Sequence, residues 1–395
     1  MPNQEPKKSC KFFAPKVFIR TYGCQMNVAD SDSIVGCLLN NGYIQCEKPE
    51  DANLIVVNTC TVRQHAEDRV LSYIGRLRKL KIKNQKSKII VLGCVASRLK
   101  DTLKKQFPFV DEVIPAYDIQ KFPQLFGFSN YLTTYPPIHL SSFVPISRGC
   151  SNYCSYCVVP FVRGEEISRP FNEIISDIKK LINSGRKEIT LLGQNVNSYC
   201  SRAFSPNDTE AHKGLKCRLQ GTSCSEIDFA DLLREANEIS EIEKVDFLTS
   251  HPKDFTDKII DAILQCKKVS RIIHLPVQSG SNRILELMNR GYTADYYLAL
   301  IQKIRQKIPK VSFTTDIIVG FPTETEADFC QTLKLINEVG FVSAFTFKYS
   351  PRENTKAFSI SDDVPLEIKK ARLQKLNILI QNIRTLEHQN SICYV

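Results

Sequence analysis

The sequence predicts an α/β protein with two parts, a small doubly wound N-terminal domain followed by a partial (β/α)6 barrel. Short continuous apolar runs, typical of strands buried on both faces of a parallel sheet, alternate with segments of helical periodicity along most of the chain. The second part holds six such pairs, whereas a closed barrel of this type has eight. At 395 residues the chain is long enough for both parts to form a core.

The first domain is predicted at residues 16–116. Its apolar runs and periodic segments alternate, which is typical of a doubly wound sheet with helices on both faces. We expect strands at residues 17–22, 54–57, 88–92 and 109–114, and helices at residues 27–40, 62–80 and 99–107.

Three cysteines lie shortly after predicted strands of this domain. They are Cys24, Cys60 and Cys94, which we call the edge triad. Because the carboxyl ends of parallel strands share one edge of a sheet, we expect the three to converge in space. They can form a ligand-binding site there, or they can be small apolar residues packed at strand ends, which is common for free cysteine.

A linker at residues 117–141 leads into the second domain, predicted at residues 142–358. In barrels of this kind the site is built at the carboxyl ends of the strands, and polar residues and glycines gather at those positions here. We expect strands at residues 143–146, 188–192, 245–248, 272–275, 312–319 and 341–347, and helices at residues 171–183, 229–239, 257–265, 283–288, 294–307 and 326–338.

The loop after the first of these strands carries Cys150, Cys154 and Cys157, which we call the loop triad, at CxxxCxxC spacing. Three thiolates this close together can bind one metal centre. Zinc usually takes four protein ligands, and no fourth Cys or His lies nearby. An iron-sulfur cluster on three thiolates keeps one iron open for a reacting molecule. The alternative is a chance grouping in a cysteine-rich chain.

Composition indicates the compartment and the kind of partner, and two further segments have predicted structures of their own. Fifteen cysteines without a secretion signal indicate a reducing cytoplasm. A net charge of +11 favours a polyanionic partner, and no apolar window is long enough for a membrane span. Residues 199–225 are a predicted surface insertion whose Cys200, Cys217 and Cys224 match no common zinc spacing. Residues 359–395 are predicted to hold an amphipathic helix, which either packs on the barrel or serves as a linker.

The loop triad lies within a longer run, SRGCSNYCSYCVVPFVRGEEISRP at residues 147–170, that resembles the radical S-adenosylmethionine (SAM) enzymes and, among them, the methylthiotransferases. The Gln25-Met26 pair resembles the MiaB-type branch that modifies tRNA, rather than the branches acting on threonylcarbamoyl-adenosine or on a ribosomal protein. Other runs resemble that branch in its order: FIRTYGCQMN (18–27), NTCTVR (58–63), LGCVASR (92–98), LGQNVNSY (192–199), HLPVQSGS (274–281) and DIIVGFPTET (316–325).

The resemblance implies a radical-SAM partial barrel and two [4Fe-4S] clusters, one on the loop triad and an auxiliary one on the edge triad. The implied reaction converts N6-isopentenyladenosine at position 37 of a tRNA anticodon loop to its 2-methylthio derivative. A 5′-deoxyadenosyl radical made from SAM takes hydrogen from C2, sulfur is delivered at the auxiliary cluster, and a second SAM supplies the methyl group. No protein acid or base can remove hydrogen from an unactivated aryl carbon, so a cofactor has to supply the radical.

Polar residues at the predicted strand ends are candidate contacts to SAM or substrate, with loop stabilisation as the alternative for each: Gln194, Ser250, Gln278 and Asp316. Tyr156 is a candidate to pack beside the SAM adenine. Three arginines are candidates for RNA phosphate or the SAM carboxylate, with a plain surface role as the alternative: Arg163, Arg169 and Arg290.

Family members usually carry a C-terminal TRAM domain, a small β-barrel that binds tRNA. This sequence ends at Val395 before such a barrel, so we expect the TRAM domain to be absent, which leaves tRNA affinity open. The expected partners are tRNA and a reductant such as flavodoxin or ferredoxin, and we expect a cytoplasmic monomer with no membrane attachment. The alternatives are the same chemistry on threonylcarbamoyl-adenosine or a ribosomal protein, or a non-catalytic iron-sulfur interaction protein.

Overall fold

The structure is a computed structural model that describes residues 14–61, 64–128, 141–202 and 226–392. Most of the predicted insertion, including Cys217 and Cys224, lies outside the described residues, as does part of the predicted linker. In the described part of the chain, no helix is both long enough and apolar enough to cross a membrane.

Five parallel strands form the sheet of the first domain, in the order β2-β1-β3-β4-β5. Its elements are β1 (Lys16–Thr21), α1 (Gln25–Asn40), β2 (Ile44–Gln45), β3 (Leu54–Thr59), α2 (Gln64–Lys83), β4 (Lys88–Gly93), α3 (Cys94–Gln106) and β5 (Glu112–Pro115). The predicted strands and helices are all present. The additional strand β2 gives no apolar signal because it has only two residues and both are exposed.

The central strand β3 shows why this sheet is doubly wound. All six of its residues are buried, and they alternate between two apolar clusters. Ile55 and Val57 pack in the cluster that also contains residues of α2 and α3. Leu54 and Val56 pack in the cluster that contains residues of α1. A strand that is covered on both faces has a continuous apolar sequence, and the run at residues 54–57 shows this pattern.

Where the structure describes it, the second domain contains six parallel strands separated by helices, which confirms the partial (β/α)6 barrel. They form the sheets β6-β9-β12 and β13-β14-β15, and the Ser250 N–H donates to the His274 carbonyl (3.3 Å) where the two sheets meet. The elements are β6 (Phe143–Pro145), β7 (Ser147–Arg148), α4 (Val159–Arg163), β8 (Ile167–Ser168), α5 (Phe171–Asn183), β9 (Glu188–Leu192), β10 (Cys200–Arg202), β11 (Glu226–Asp228), α6 (Phe229–Glu238), β12 (Lys244–Leu248), α7 (Asp257–Gln265), β13 (Ile272–His274), α8 (Asn282–Leu287), α9 (Ala294–Lys307), β14 (Ser312–Val319), α10 (Glu326–Val339), β15 (Ser343–Lys348) and α11 (Leu366–Ile392).

The barrel strands bury one face under the helices and turn the other toward a lumen. In β14, buried and half-buried residues alternate along the whole strand, and the buried ones, such as Phe313 and Ile317, join the main apolar core. Thr314, on the other face, lines a cavity of about 200 Å³ together with Thr190, Asp246 and His274. The interior of the barrel is therefore partly polar.

Three details refine the sequence prediction. Two short antiparallel pairs, β7-β8 and β10-β11, interrupt the β/α alternation. The pair β10-β11 brackets the residues between 202 and 226, so the interruption begins after a buried Tyr199 rather than at it. Helix α11 packs on the barrel through Leu376 and Ile380, which settles the choice between a packed helix and a linker.

The first domain packs against the carboxyl end of the barrel strands. Met26 and Ala29 of α1 form an apolar cluster with Leu192 at the end of β9, and Leu248 at the end of β12 packs against the same cluster. This contact places the edge of the first sheet next to the end of the barrel where its site is expected.

A buried ion network also joins the two domains. Glu67 of α2 is only 2% exposed. It pairs with Arg98 of α3 and with Arg352 from the barrel (3.3 Å), and it accepts a hydrogen bond from Thr61. Arg98 also reaches Glu353 (3.3 Å), whose side chain is 65% exposed. The buried Glu67 carboxylate thus forms ion pairs with arginines from both domains.

Replacing this carboxylate should destabilise the protein. We expect Glu67→Gln to lower the free energy of unfolding by about 3–5 kcal/mol, because the buried Arg352 and the half-buried Arg98 lose their shared anion. Thermal and denaturant unfolding, followed by circular dichroism, measure the loss.

The matched control is Glu353→Gln, which removes an exposed partner of the same Arg98. An exposed ion pair contributes about 0–1 kcal/mol to stability, so the free energy of unfolding of this variant should be close to that of the parent. Equal losses in the two variants would contradict the assignment of Glu67 as the centre of the network.

Candidate active site

The loop triad lies on the segment that connects β7 to α4. The Cys150 N–H donates to the Gly164 carbonyl (3.1 Å), and the Cys157 N–H donates to the Cys154 carbonyl (2.9 Å), so the segment folds back on itself. Burial, with a smaller contribution from the neighbouring Cys154, raises the pKa of Cys150 to about 11. Burial raises the pKa of Cys157 to about 12, again with a contribution from Cys154. Cys154 thus lies near both other cysteines of the loop triad.

The spacing of these side chains bears on the type of metal centre. Within the described residues, no three His, Cys, Asp or Glu side chains lie close enough together to hold a single metal ion. The CxxxCxxC spacing supplies three thiols and no fourth Cys or His ligand before α4. That donor set fits an iron-sulfur cluster that leaves one iron open.

The loop triad is fixed against the end of α8. The Ser155 N–H donates to the Met288 carbonyl (2.9 Å), and its hydroxyl donates to the Leu287 carbonyl (2.7 Å). Tyr156 packs against an apolar cluster that includes Met288 and Phe321. Its predicted contact with the SAM adenine stays a prediction.

The edge triad converges as the strand topology predicts. Thr59 pairs with Gly93 across β3 and β4, so the residues that follow, Cys60 and Cys94, leave neighbouring strands side by side. Cys24 is close enough to Cys94 to raise the pKa of its thiol, although burial is the larger cause of that shift. On the other side, Gly23 lies directly against Cys60.

Two glycines allow this close approach. Gly23 has φ +147°, and a Cβ there would lie 2.8 Å from Cys60 Cβ. Gly93 has φ +98°, and a Cβ there would lie 2.5 Å from the Thr59 carbonyl oxygen. Each glycine immediately precedes a cysteine of the edge triad, and only glycine adopts these conformations without strain.

A pair of fully buried asparagines holds the edge-triad loops together. Asn27 Nδ2 donates to Asn58 Oδ1 (2.9 Å), and Asn58 Nδ2 donates to the Asn27 carbonyl (2.8 Å). The Cys24 thiol donates to Asn27 Oδ1 (3.3 Å). Sequence reasoning missed both asparagines, although each lies within a quoted family run, Asn27 in the first turn of α1 and Asn58 next to the last residue of β3.

The two triads face each other across the domain interface. Cys94 packs in one apolar cluster with Val158 and Val162, and Val158 is the residue after Cys157. The Ser97 hydroxyl of α3 donates to the Val162 carbonyl of α4 (2.8 Å). A helix that begins at the edge triad is therefore fixed to a helix that begins directly after the loop triad.

An arginine from α4 reaches across this interface. Arg163 pairs with Asp30 of α1 (3.2 Å), which also pairs with Arg148 (2.6 Å). Burial lowers the pKa of Arg163, but Cys94, Asp30 and Cys24 together raise it by more, so the net shift is upward. A positive charge from the barrel thus lies beside two thiols of the edge triad.

Several buried polar atoms at the ends of β9 and β12 have no hydrogen-bond partner. They are Gln194 Oε1, Asn195 Oδ1, both side-chain polar atoms of Asn197, Ser250 Oγ and His251 Nε2. A buried polar atom without a partner costs about 1–3 kcal/mol, so such a group indicates a site that a polar ligand completes. Burial, with smaller contributions from Arg290 and Lys253, lowers the pKa of His251 to about 2, so His251 is neutral.

Gln278 and Asp316, the other two predicted contacts to SAM or substrate, are not part of the cluster of unpartnered atoms. Gln278 is buried and has φ +72°. Its N–H donates to the Asp316 carbonyl (2.9 Å), so this position ties the end of β13 to β14. The Asp316 carboxylate lies 3.5 Å from His274 Nε2, on the lumen side of the strand. Gln194 and Ser250 share the cluster of unpartnered atoms, whereas Asp316 lies with the lumen residues.

The alternative of a plain surface role does not fit Arg163 or Arg290, and a contact with RNA phosphate or the SAM carboxylate stays a prediction for all three arginines. Arg163 is 7% exposed and Arg290 is 4% exposed. Arg169 pairs with Asp177 (2.6 Å) and donates to the Pro145 carbonyl (2.7 Å), so it fixes α5 to the end of β6. Lysine and arginine are rarely buried without partners, and the sequence alone does not reveal which arginines have them.

Comparison with known proteins agrees with this architecture. Residues 16–115 match Uncharacterized protein family UPF0004, and residues 144–336 match the Radical SAM superfamily. Among solved structures, a radical SAM methyltransferase, TsrM from Kitasatospora setae, covers 88% of this chain and 77% of its own with a TM-score of 0.61 and 11% identity. The cobalamin-dependent radical SAM enzyme OxsB covers 93% of this chain and 56% of its own, with a TM-score of 0.55 and 12% identity. These two likenesses show the fold.

Curated relatives are much closer in sequence. The tRNA-2-methylthio-N(6)-dimethylallyladenosine synthase of Clostridium perfringens is 44% identical over 378 residues, which are 91% of this chain and 80% of that protein. The proteins of the same name from Clostridium botulinum and Clostridium tetani are also 44% identical, over 386 and 379 residues. With the two family matches, this identity shows that the chain belongs to the MiaB-type radical SAM methylthiotransferases.

Proposed function

We propose that the chain converts N6-isopentenyladenosine at position 37 of tRNA to 2-methylthio-N6-isopentenyladenosine, using SAM and two [4Fe-4S] clusters. The relatives that carry this activity in their name match 91% of the chain at 44% identity. The observation that supports the mechanism is the contact of Cys94 with Val158 and Val162, which joins a residue of the edge triad to the segment that directly follows the loop triad.

The two triads have different proposed roles, SAM cleavage for the loop triad and sulfur delivery for the edge triad. When bound, the cluster on the loop triad would reductively cleave SAM to the radical that takes hydrogen from C2 of the base, and the cluster on the edge triad would present the sulfur. The loop triad leaves one coordination position without a protein ligand, which suits the amino and carboxylate groups of SAM. The edge triad likewise has three thiols, which leaves one position for sulfur.

The ends of β9 and β12 supply polar groups for SAM. Gln194 Oε1 and Asn195 Oδ1 can accept hydrogen bonds, and Ser250 Oγ can donate or accept one. Among the residues that the structure describes, none of these three atoms has a partner. The amino group and the ribose hydroxyls of SAM provide complementary donors and acceptors. His251 remains neutral and adds no charge of its own to this region.

The proposed target is an unpaired anticodon-loop base, which can be turned out of the stack into a pocket between the domains. The net charge of +11 suits an RNA partner. We further propose that a flavodoxin or ferredoxin supplies electrons and that the protein acts as a monomer in the cytoplasm.

The two triads should fail in different ways when their cysteines are replaced. We expect Cys150→Ala to reduce 5′-deoxyadenosine formation to background, because the loop triad loses a ligand. Cys60→Ala should retain deoxyadenosine formation but yield no methylthio product. Chromatography of an anaerobic reaction with SAM, dithionite and an anticodon stem-loop RNA measures both products.

Cys330→Ala, which replaces an exposed cysteine outside both triads, is the control and should match the parent in both assays. Equal loss of deoxyadenosine in the Cys150 and Cys60 variants would argue against separate roles for the triads.

The substrate itself is tested in cells. Deleting the gene should abolish 2-methylthio-N6-isopentenyladenosine in total tRNA while N6-isopentenyladenosine accumulates, because the prenylated base is no longer consumed. Mass spectrometry of tRNA nucleosides measures both. Normal levels of the methylthio nucleoside, with loss of a different methylthio product, would show that the substrate is another one.

A further inference from the structure

Arg290 lies directly against the middle cysteine of the loop triad. Its Nη1 donates to Cys154 Sγ (3.2 Å) and to Tyr156 Oη (3.4 Å). Its Nη2 donates to the Pro276 carbonyl (2.9 Å), and its Nε donates to Tyr292 Oη (2.9 Å). The side chain is therefore held in one orientation from three sides, by the strand end, the loop and a tyrosine.

The charge of Arg290 has no carboxylate partner. Within the described residues, no Asp or Glu oxygen forms an ion pair with it. The other arginines buried to a similar degree all have one: Arg163 with Asp30, Arg352 with Glu67, and Arg372 with Glu324. A buried cation without an anion costs several kcal/mol. The sulfur of Cys154 is the nearest group to Arg290 that becomes an anion by binding metal.

From this geometry we propose that Arg290 is a positioning residue that hydrogen-bonds the Cys154 thiolate and raises the reduction potential of the cluster on the loop triad. The inference rests on the proposed function, because it requires that the loop triad holds a cluster. It adds a role for a residue that neither ligates the cluster nor touches the reacting atoms.

Reduction changes the charge of the cluster, and Arg290 lies close enough to respond to that change. Reduction of the [4Fe-4S] core from 2+ to 1+ adds one negative charge, which a low-potential one-electron donor supplies. A fixed guanidinium group beside a ligand sulfur stabilises the more negative state, since Coulomb interactions are strong away from water. Hydrogen bonds to the sulfurs and net charge are the recognised protein influences on the potential of such clusters.

A purely structural role predicts something different. Arg290 also ties the strand end at Pro276 to the loop triad, and loss of that bridge would loosen the loop without any specific effect on potential. Lysine keeps the positive charge but loses the planar set of donors, whereas methionine keeps a similar length and loses the charge. The two substitutions therefore separate charge from bridging.

The test uses the full chain with the three edge-triad cysteines replaced by alanine, so that a single cluster contributes to the signal. Arg290→Met, Arg290→Lys and the control Arg234→Met are made in this parent. Arg234 lies on α6 in a surface pair with Asp231, so its replacement changes net charge equally without touching the loop. Iron and sulfide are measured after anaerobic reconstitution, and the midpoint potential is measured by a titration followed by electron paramagnetic resonance.

We expect Arg290→Met to retain iron. The equilibrium constant for reduction of its cluster should be about tenfold lower than in the parent, which is a midpoint potential lower by ~59 mV for one electron. Arg290→Lys should lie between this variant and the parent, and Arg234→Met should match the parent. Unchanged potential in Arg290→Met would overturn the inference, as would loss of iron from both Arg290 variants. If Arg290→Met alone loses iron, Arg290→Lys becomes the measured variant: a potential below that of the parent would support the inference, and a parental potential would overturn it. A parent that binds no iron would overturn the proposed function itself.

Discussion

The contact between α3 and α4 is the constraint on which the proposed site depends. Helix α3 begins at Cys94, and helix α4 begins two residues after Cys157. Their packing through Val158 and Val162, together with the bond from Ser97 to the Val162 carbonyl, fixes the distance between the two triads. Radical transfer and sulfur delivery to one carbon need both centres within reach of the same base. A shift of this interface would separate them without altering either domain.

Buried charge reinforces the same arrangement. Arg163 crosses from α4 to Asp30, and Arg352 crosses from the barrel to Glu67. Each of these pairs lies beside the edge triad: Arg163 is close to Cys94 and Cys24, and Arg352 is close to Cys60. The barrel thus contributes positive charge beside the cysteines of the first domain. That charge would stabilise the proposed anionic cluster, and its position depends on the docking of the two domains.

The fold and both triads were accessible from the sequence because their signals are local. Strand β3 is an unbroken apolar run, the helices keep their period, and Gly-Cys pairs mark the strand ends where only glycine fits. The arginines were not accessible in this way. Arg163 and Arg290 acquire their roles from Asp30 and Cys154, which lie 133 and 136 residues away along the chain. A charged side chain gives no sign in the sequence of whether its partner is water, phosphate or a buried sulfur.

The central claim is that the chain holds two clusters of the same kind at one interface. Iron and sulfide analysis with Mössbauer spectroscopy of the anaerobically reconstituted protein tests it most directly. Two [4Fe-4S] clusters predict about eight irons per chain in the parent, and about four when either triad is replaced by alanine. Four irons in the parent, all lost with the loop triad and none with the edge triad, would contradict the account.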